Sequence, residues 1–278
     1  MSFYRLRKLT KHRIEENHFK QEGFDSKAGG TASPIFSNGK LFSIPIPQAS
    51  PSPKKYKDLD FDGISGTQLL KEVLAKVSPN DYCHNDPLLN ESIGIFGQAG
   101  SAQTELKNRG VGPGDLFLFF GWFKNFSNNG NDIHHLFGWL QIEKIIEGTS
   151  KIKKYLKEKN IEHPHGYGDT SRFTNNAIYV AKNNLEVLEQ KFKAKGHGLF
   201  KQTHQKLVLT EENRSRSRWK LPSRYFKNSD SLFLNRMKWQ NKNACTIFYK
   251  GFGQEFILDV ETNPSVKKWA LGIIKKHG

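Results

Sequence analysis

The sequence predicts an α+β protein built on a mostly antiparallel central sheet with flanking helices. Two aromatic-rich runs, 116–123 and 135–142, are short and crowded with Phe and Trp, which suits strands better than helices. Helical spacing of apolar residues appears elsewhere, at 66–77 and at 264–276. Helical and strand-like segments do not alternate regularly, which disfavours a doubly wound parallel sheet.

Taken in order, residues 1–20 form a basic arm with Arg5, Arg7, Lys8, Lys11 and Arg13, set apart from one domain over 21–278. Gly23-Phe24-Asp25-Ser26, Gly29-Gly30 and Ser33-Pro34-Ile35 read as a loop with special backbone angles. A short strand is expected at 41–46, closed by Pro45, Pro47 and the Pro- and Ser-rich stretch 50–53. Leu69, Leu70, Val73, Leu74 and Val77 share one helix face, and Ser78-Pro79 stops the run. After the polar loop 81–98, a short helix covers 101–107. The turn Gly112-Pro113-Gly114-Asp115 launches the first aromatic strand. Gly121 and Gly138 each precede a Trp and mark a bulge or a close backbone approach. Further on, helices are expected at 152–159 and 185–192, and strands at 176–181, 206–209, 246–249 and 255–260. The closing helix over 264–276 has Val266, Trp269, Ala270, Ile273 and Ile274 on its apolar face.

With 278 residues and 36% hydrophobic content, the chain can bury a substantial core. Its longest apolar run has eight residues, against roughly 20 for a spanning helix, so no membrane segment is expected. Cys83 and Cys245 make no disulfide framework, and the basic start lacks the apolar stretch of a secretory signal. A cytoplasmic location follows as an expectation. Forty-three Lys and Arg against 27 Asp and Glu give a net charge of +16, which speaks of partners rather than fold. Phosphate backbones reward such a surface. Simple solubility, or the lysine-rich bias of an AT-rich genome, would produce the same balance.

Five constellations carry chemistry. His84 and Asp86, two apart in an extended loop, point the same way and suit a shared metal or an oriented acid/base pair. His163-Pro164-His165 places two imidazoles on a stiff, extended backbone; with Asp86 they could share a metal, although no standard zinc spacing is present and the metal stays unknown. Gln254 and Glu255 enter an otherwise apolar strand, where a carboxylate needs a partner or a task. Asp25, Ser26, Gly29 and Gly30 form a turn whose amides could cradle a phosphate. Arg214, Arg216, Arg218, Trp219, Lys220 and Arg224 interleave cations with aromatics, as phosphate contact plus base stacking requires; a solvated face with a core Trp is the plain alternative. No GxSxG, Walker, HExxH or CxxC pattern occurs, so the corresponding hydrolase, ATPase and zinc-deaminase classes gain no support.

The order of these blocks carries a resemblance. It runs Gly23-Phe24-Asp25-Ser26, Ser43-Ile44-Pro45-Ile46-Pro47, His84-x-Asp86-Pro87 and Phe96-Gly97-Gln98 with Gln103. It continues through Gly114-Asp115 and the aromatic strand, His134-x-x-Phe137-Gly138-Trp139, His163-Pro164-His165, Trp219-x-Leu221-Pro222 and Gly253-Gln254-Glu255-Phe256. From about residue 23 onward the chain resembles the third type of the nucleotide-modification-associated domains of phages and bacteria. That family name records the company such domains keep with DNA-base-modifying enzymes and supplies no reaction. The Gly-Asp turn followed by two aromatic strands also resembles the barrel hairpin of PUA-like domains, whose EVE and ASCH members hold bases in aromatic-lined pockets. This second resemblance implies a barrel-like sheet and stacking on Trp122 or Trp139, with Gln98 and Gln103 at the base edge.

Together these expectations give one pocket lined by Asp25, His84, Asp86, Gln98, Gln103, His134, His163, His165, Gln254 and Glu255. It would engage one nucleotide, DNA being favoured over RNA, with His84 and Glu255 as acid/base groups. A non-catalytic reader of a modified base and an accessory scaffold for a separate DNA-modifying enzyme are the alternatives. No cofactor is named by the sequence.

Overall fold

The computed structural model describes residues 2–7, 29–187, 190–227, 232–234, 237–249, 256–259 and 263–278. Its centre is the strand Leu116–Asn125, launched by a turn in which Gly114 takes φ 91° and Asp115 Oδ2 accepts the Gly112 N–H at 2.8 Å. Side chains along a strand alternate between its faces. Leu116, Leu118 and Phe120 enter one core with Trp219, Phe226 and the C-terminal helix. Phe117 and Phe119 enter a second core with Phe96, Leu140 and Tyr179. A strand buried on both faces has no position for a polar residue, so its sequence reads as one continuous apolar run.

The neighbouring strand Ile133–Glu147 pairs antiparallel with it, and the register steps from Phe119↔Gly138 to Phe120↔Leu136. The step leaves Phe137 as a bulge, which sharpens local twist. Gly138 beside it is closely approached: a Cβ there would stand 3.0 Å from the Gly198 carbonyl oxygen. The same long strand passes from one partner to another, pairing with Ala177–Ala181 over its second half. The resulting sheet has ten strands and curls into a half-barrel. Its order is Leu232–Leu234, Phe256–Asp259, Ser2–Arg7, Leu116–Asn125, Ile133–Glu147, Ala177–Ala181, Gly94–Gln98 and Leu88–Leu89. His197–Leu199 and Ser33–Ile35 pair alongside. Only the pairs Ser2–Arg7 with Phe256–Asp259 and Leu116–Asn125 with Ser33–Ile35 are parallel among those of this sheet described. The protein is α+β with a mostly antiparallel, barrel-like sheet.

Among the described residues five α-helices flank it: α1 Gly66–Glu72, α2 Gly100–Asn108, α3 Thr149–Glu158, α4 Ser223–Phe226 and α5 Pro264–His277. α5 starts on Pro264 and buries Val266, Trp269, Ala270, Ile273 and Ile274, the face its spacing predicts. Among the described residues no helix is long and apolar enough to cross a membrane.

Several expectations need correction. Residues 2–7 are not a detached arm but a strand inside the sheet, with Tyr4 opposite both Leu118 and Phe256. The arm's charge hid a segment, Phe3-Tyr4 and Leu6, with strand preference. The helix expected at 185–192 is a hairpin of Asn184–Val187 and Gln190–Lys195, since eight residues form too short a helix to resist sheet pairing. α1 ends at Glu72 because Leu74 adopts φ 54° and points outward, 81% exposed. At 206–209 the chain makes a 3₁₀ turn, Gln205–Leu207, with a single bridge from Val208 to His135. Of 41–46 only Ile46 joins a strand, Ile46–Gln48, while Leu41 makes an isolated bridge to Ile35.

Candidate functional site

The strand Tyr82–His84 lies between Ile46–Gln48 and Lys54–Lys55. Cys83 is fully buried beneath α1 with Tyr56, Leu69, Leu70 and Val73. The two-residue period then turns His84 to the opposite face. There it lines a cavity of about 380 Å³ with Gln48, Gln98, the first turn of α2, Arg172 and Phe173.

Behind His84 stands a buried cluster. The Asp86 N–H bonds the His84 carbonyl at 2.8 Å, which folds the carboxylate back toward the imidazole. Both Asp86 oxygens accept the Gly97 N–H, at 3.0 and 3.1 Å. His163 Nε2 lies 3.1 Å from Oδ1, while His84 Nε2 and His165 Nε2 lie 3.7 and 3.9 Å from Oδ2. Of the two histidines around Pro164, His163 keeps the expected extended backbone, φ −145° and ψ 139°, while His165 lies in a 3₁₀ turn. His163 caps a 3₁₀ turn, Pro164–Gly166, by accepting the His165 N–H on Nδ1, and the two rings approach to 5.7 Å. Gly97 makes room for this: a Cβ on it would lie 2.3 Å from the His165 ring.

Burial alone would raise the Asp86 carboxyl, but the attraction and hydrogen bond of His163, with the nearby His84 and His165 rings adding to them, hold it well below the usual carboxylate range. Burial pushes the His165 imidazole down to about 3, against the pull of Asp86, so the ring is neutral near pH 7. Neighbouring amides set the tautomers. His165 Nδ1 stands 2.6 Å from Asn176 Oδ1, and Asn176 is oriented by donating from Nδ2 to the His165 carbonyl and to Thr149 Oγ1. His84 Nδ1 stands 2.8 Å from Gln48 Oε1, and Gln48 Nε2 donates to the carbonyls of Ser50 and Pro51. His163 is reversed: its Nδ1 accepts, so its Nε2–H donates to Asp86.

Residues 19–259 match the nucleotide modification associated domain 3 family. The chain belongs to that family. Comparison with curated proteins and with solved structures gave no match. Membership associates the protein with nucleotide modification, and the whole histidine–aspartate cluster falls inside the matched span. The strand Ser2–Arg7 and helix α5 lie outside the span, although both complete the sheet and core on which the family region rests.

The remaining sequence candidates scatter. Gln98 lines the cavity, its Oε1 accepting the Ala99 N–H. Gln103 is buried elsewhere and accepts the Tyr179 hydroxyl at 2.7 Å. His134 is embedded beside Phe120, its Nδ1 accepting the Trp219 indole N–H at 2.8 Å. Trp139 packs on Phe200 in the core and donates to the Lys195 carbonyl. Trp122 bonds Asp132 and carries the Arg216 guanidinium 3.9 Å above its ring. Neither Trp122 nor Trp139 lines the cavity, and the aromatic ring at its wall is that of Phe173. Trp219 is wholly buried, because packing against Phe120 and His134 claims both its ring and its N–H, so it presents no stacking surface. Arg214, Lys220 and Arg224 are exposed, and Arg218 stands 3.8 Å from Glu211. Gly29 and Gly30 take φ 92° and 74°, Gly29 accepting the Lys76 N–H, and do not line the cavity. Asp25, Ser26, Gln254 and Glu255 lie outside the described residues. Gln48, Arg172, Phe173 and Asn176 escaped sequence reasoning. Each is an ordinary loop or strand-end residue whose relevance comes only from what folds against it.

Proposed function

We propose that the cavity receives one nucleotide unit of a nucleic acid and that His84 contacts it as an acid/base group in a modification of the nucleotide. The observation that carries this reading is the double position of His84, which belongs both to the cavity wall and to the buried Asp86–His163–His165 cluster. A side chain so placed faces a ligand on one side and a carboxylate with two further imidazoles on the other, which suits proton transfer. The cavity supplies matching groups for the rest of a nucleotide. Its volume falls in the roughly 300–1,000 Å³ range of ligand sites. The amides opening α2 and the Arg172 guanidinium, held 4.5 Å over the Phe173 ring, suit a phosphate. Gln98 offers its side-chain amide for a base edge. The charge of +16, with Arg214 and Arg216 outside the cavity, supports docking of the polynucleotide.

Titration of the full chain with deoxynucleoside monophosphates and short single-stranded DNA tests this. Binding is expected to weaken as salt rises. His84→Ala and Arg172→Ala should each lower mononucleotide affinity at least tenfold, while combined replacement of Arg214, Arg216 and Arg218 by Ala lowers affinity for DNA alone. Nucleoside mass spectrometry of DNA from cells with and without the protein should show one altered base. Binding without any altered nucleoside would assign a reader instead. Absence of nucleotide binding, or wild-type binding by His84→Ala, overturns the reading.

A further inference from the structure

We infer that His84 Nε2, His165 Nε2 and Asp86 Oδ2 hold one divalent first-row transition cation in the wall of the cavity. The inference concerns the same site as the nucleotide reading and rests on it only for the use of the ion: with the cation bound, His84 Nε2 would serve as its ligand and not as a proton-transfer group.

The argument starts from hydrogens. His165 Nδ1–H is committed to Asn176 Oδ1, so the neutral ring carries a lone pair on Nε2. That atom is buried and has no hydrogen-bond partner among the described residues. It faces Asp86 Oδ2 at 3.9 Å, and a carboxylate oxygen is likewise an acceptor. Gln48 Oε1 takes the Nδ1–H of His84 in the same manner, which directs the Nε2 of a neutral His84 ring at the same oxygen, 3.7 Å away. Acceptors that converge in a buried place cost free energy unless something positive stands between them.

The spacing suits a metal ion. The three atoms lie within 4.8 Å of one another. Ligands about 2.0–2.2 Å from a shared ion stand roughly 3–4 Å apart, so side-chain shifts of up to about an ångström bring this set onto one centre. Two imidazoles and a carboxylate favour zinc, iron, cobalt or nickel over magnesium or calcium, which prefer oxygen throughout. Three protein ligands also leave at least one coordination position for water or substrate.

The surroundings match those of metal-binding side chains. Gln48 and Asn176 accept the outer N–H of the two rings, and His163 Nε2–H with the Gly97 amide holds the carboxylate. Such outer partners orient ligands and raise their basicity. The pairing also differs from the one its sequence suggests. His163 and His165 are neighbours in the chain, yet His163 turns its N–H to Asp86 and His84 takes the second ligand position.

The test uses the full chain, freed of metal by chelator and titrated with Zn²⁺ and Co²⁺. One equivalent per chain is expected by calorimetry and metal analysis, with Co²⁺ giving the visible absorption of nitrogen and oxygen ligation. His165→Ala should lose that equivalent. Asn176→Ala, which keeps all three ligands, should weaken affinity about 10–100-fold. His204 and His277, with ring centroids 4.3 Å apart, form a competing imidazole pair, and His277→Ala should retain the equivalent. No bound metal in the wild type, an equivalent kept by His165→Ala, or one lost in His277→Ala overturns the proposal. If His165→Ala does not fold, unchanged affinity in Asn176→Ala overturns it as well. Nucleotide binding is measured separately on the metal-free and loaded chain, so its failure alone strikes only the proposed function.

Discussion

Two groups of histidines are equally buried here and differ in what surrounds them. His134 and His135 lie in the Ile133–Glu147 strand, 5% and 0% exposed, and their rings meet neutral hydrogen-bond partners. Trp219 donates to His134, while His135 meets the Leu136 carbonyl and Thr203 Oγ1. His84 and His165, 5% and 1% exposed, instead give one N–H to an amide and turn the other nitrogen toward an anionic carboxylate beside a cavity. Burial alone therefore does not separate the two groups. The distinction lies in whether the second ring nitrogen already has a neutral hydrogen-bond partner.

The largest effect should come from removing the carboxylate. Asp86→Ala leaves the Gly97 N–H and the His163 Nε2–H without their acceptor in a buried site. A loss of about 3–5 kcal/mol is expected in denaturant unfolding, typical of breaking a buried charged pair. A loss under about 1 kcal/mol would mean that water reaches the cluster.

A pair of substitutions with similar stability cost sharpens the contrast. Trp219→Phe deprives His134 Nδ1 of its donor at about 1–3 kcal/mol, and nucleotide affinity should stay at the wild-type level. Gly97→Ala forces a methyl against the His165 ring at about 1–3 kcal/mol, and here nucleotide affinity should fall at least tenfold. Equal binding by the two variants would break the division between packing and working histidines.

The smallest effect is acid sensitivity of the packing pair. Burial pushes His134 down to about 3 and His135 down to about 4, against about 6.5 when unfolded. Their neutral form is the stable one, so stability is fully present above pH 6.5 and declines as pH falls toward 4, because the unfolded chain then binds more protons. Each ring contributes up to about 1.4 kcal/mol per pH unit in that window. Denaturant midpoints at pH 7, 6 and 5 should fall in sequence, and His135→Gln should flatten the decline. A level profile from pH 7 to 5 would show that these rings protonate without unfolding.

Local pattern was enough wherever one segment decides its own state. The continuous apolar run at 116–123, the glycine before Trp139, and the 264–276 periodicity each predicted a feature now seen at Leu116–Asn125, Gly138 and α5, whereas Gly121 pairs in regular register with His135. Pattern misled where pairing partners decide, as in the hairpin at 184–195 and the strand Ser2–Arg7. The candidate site shows the same boundary. His84, Asp86, His163 and His165 stood out because titratable groups in loops are chemically conspicuous. His134, Gln103, Trp139 and Trp219 stood out as hydrogen-bonding or stacking groups and turned out to be packed away.

What the sequence by itself determined is the α+β class, the buried character of each aromatic strand, the family, and four members of the cluster. These depend on side-chain type and on spacing along the chain, which no distant contact alters. Tertiary structure alone decided that His84 rather than His163 shares Asp86 Oδ2 with His165, and that Gln48 and Asn176 hold the outer nitrogens. Those contacts join residues 36 and 11 positions apart, so they arise from how strands and turns are brought together and leave no trace in local spacing.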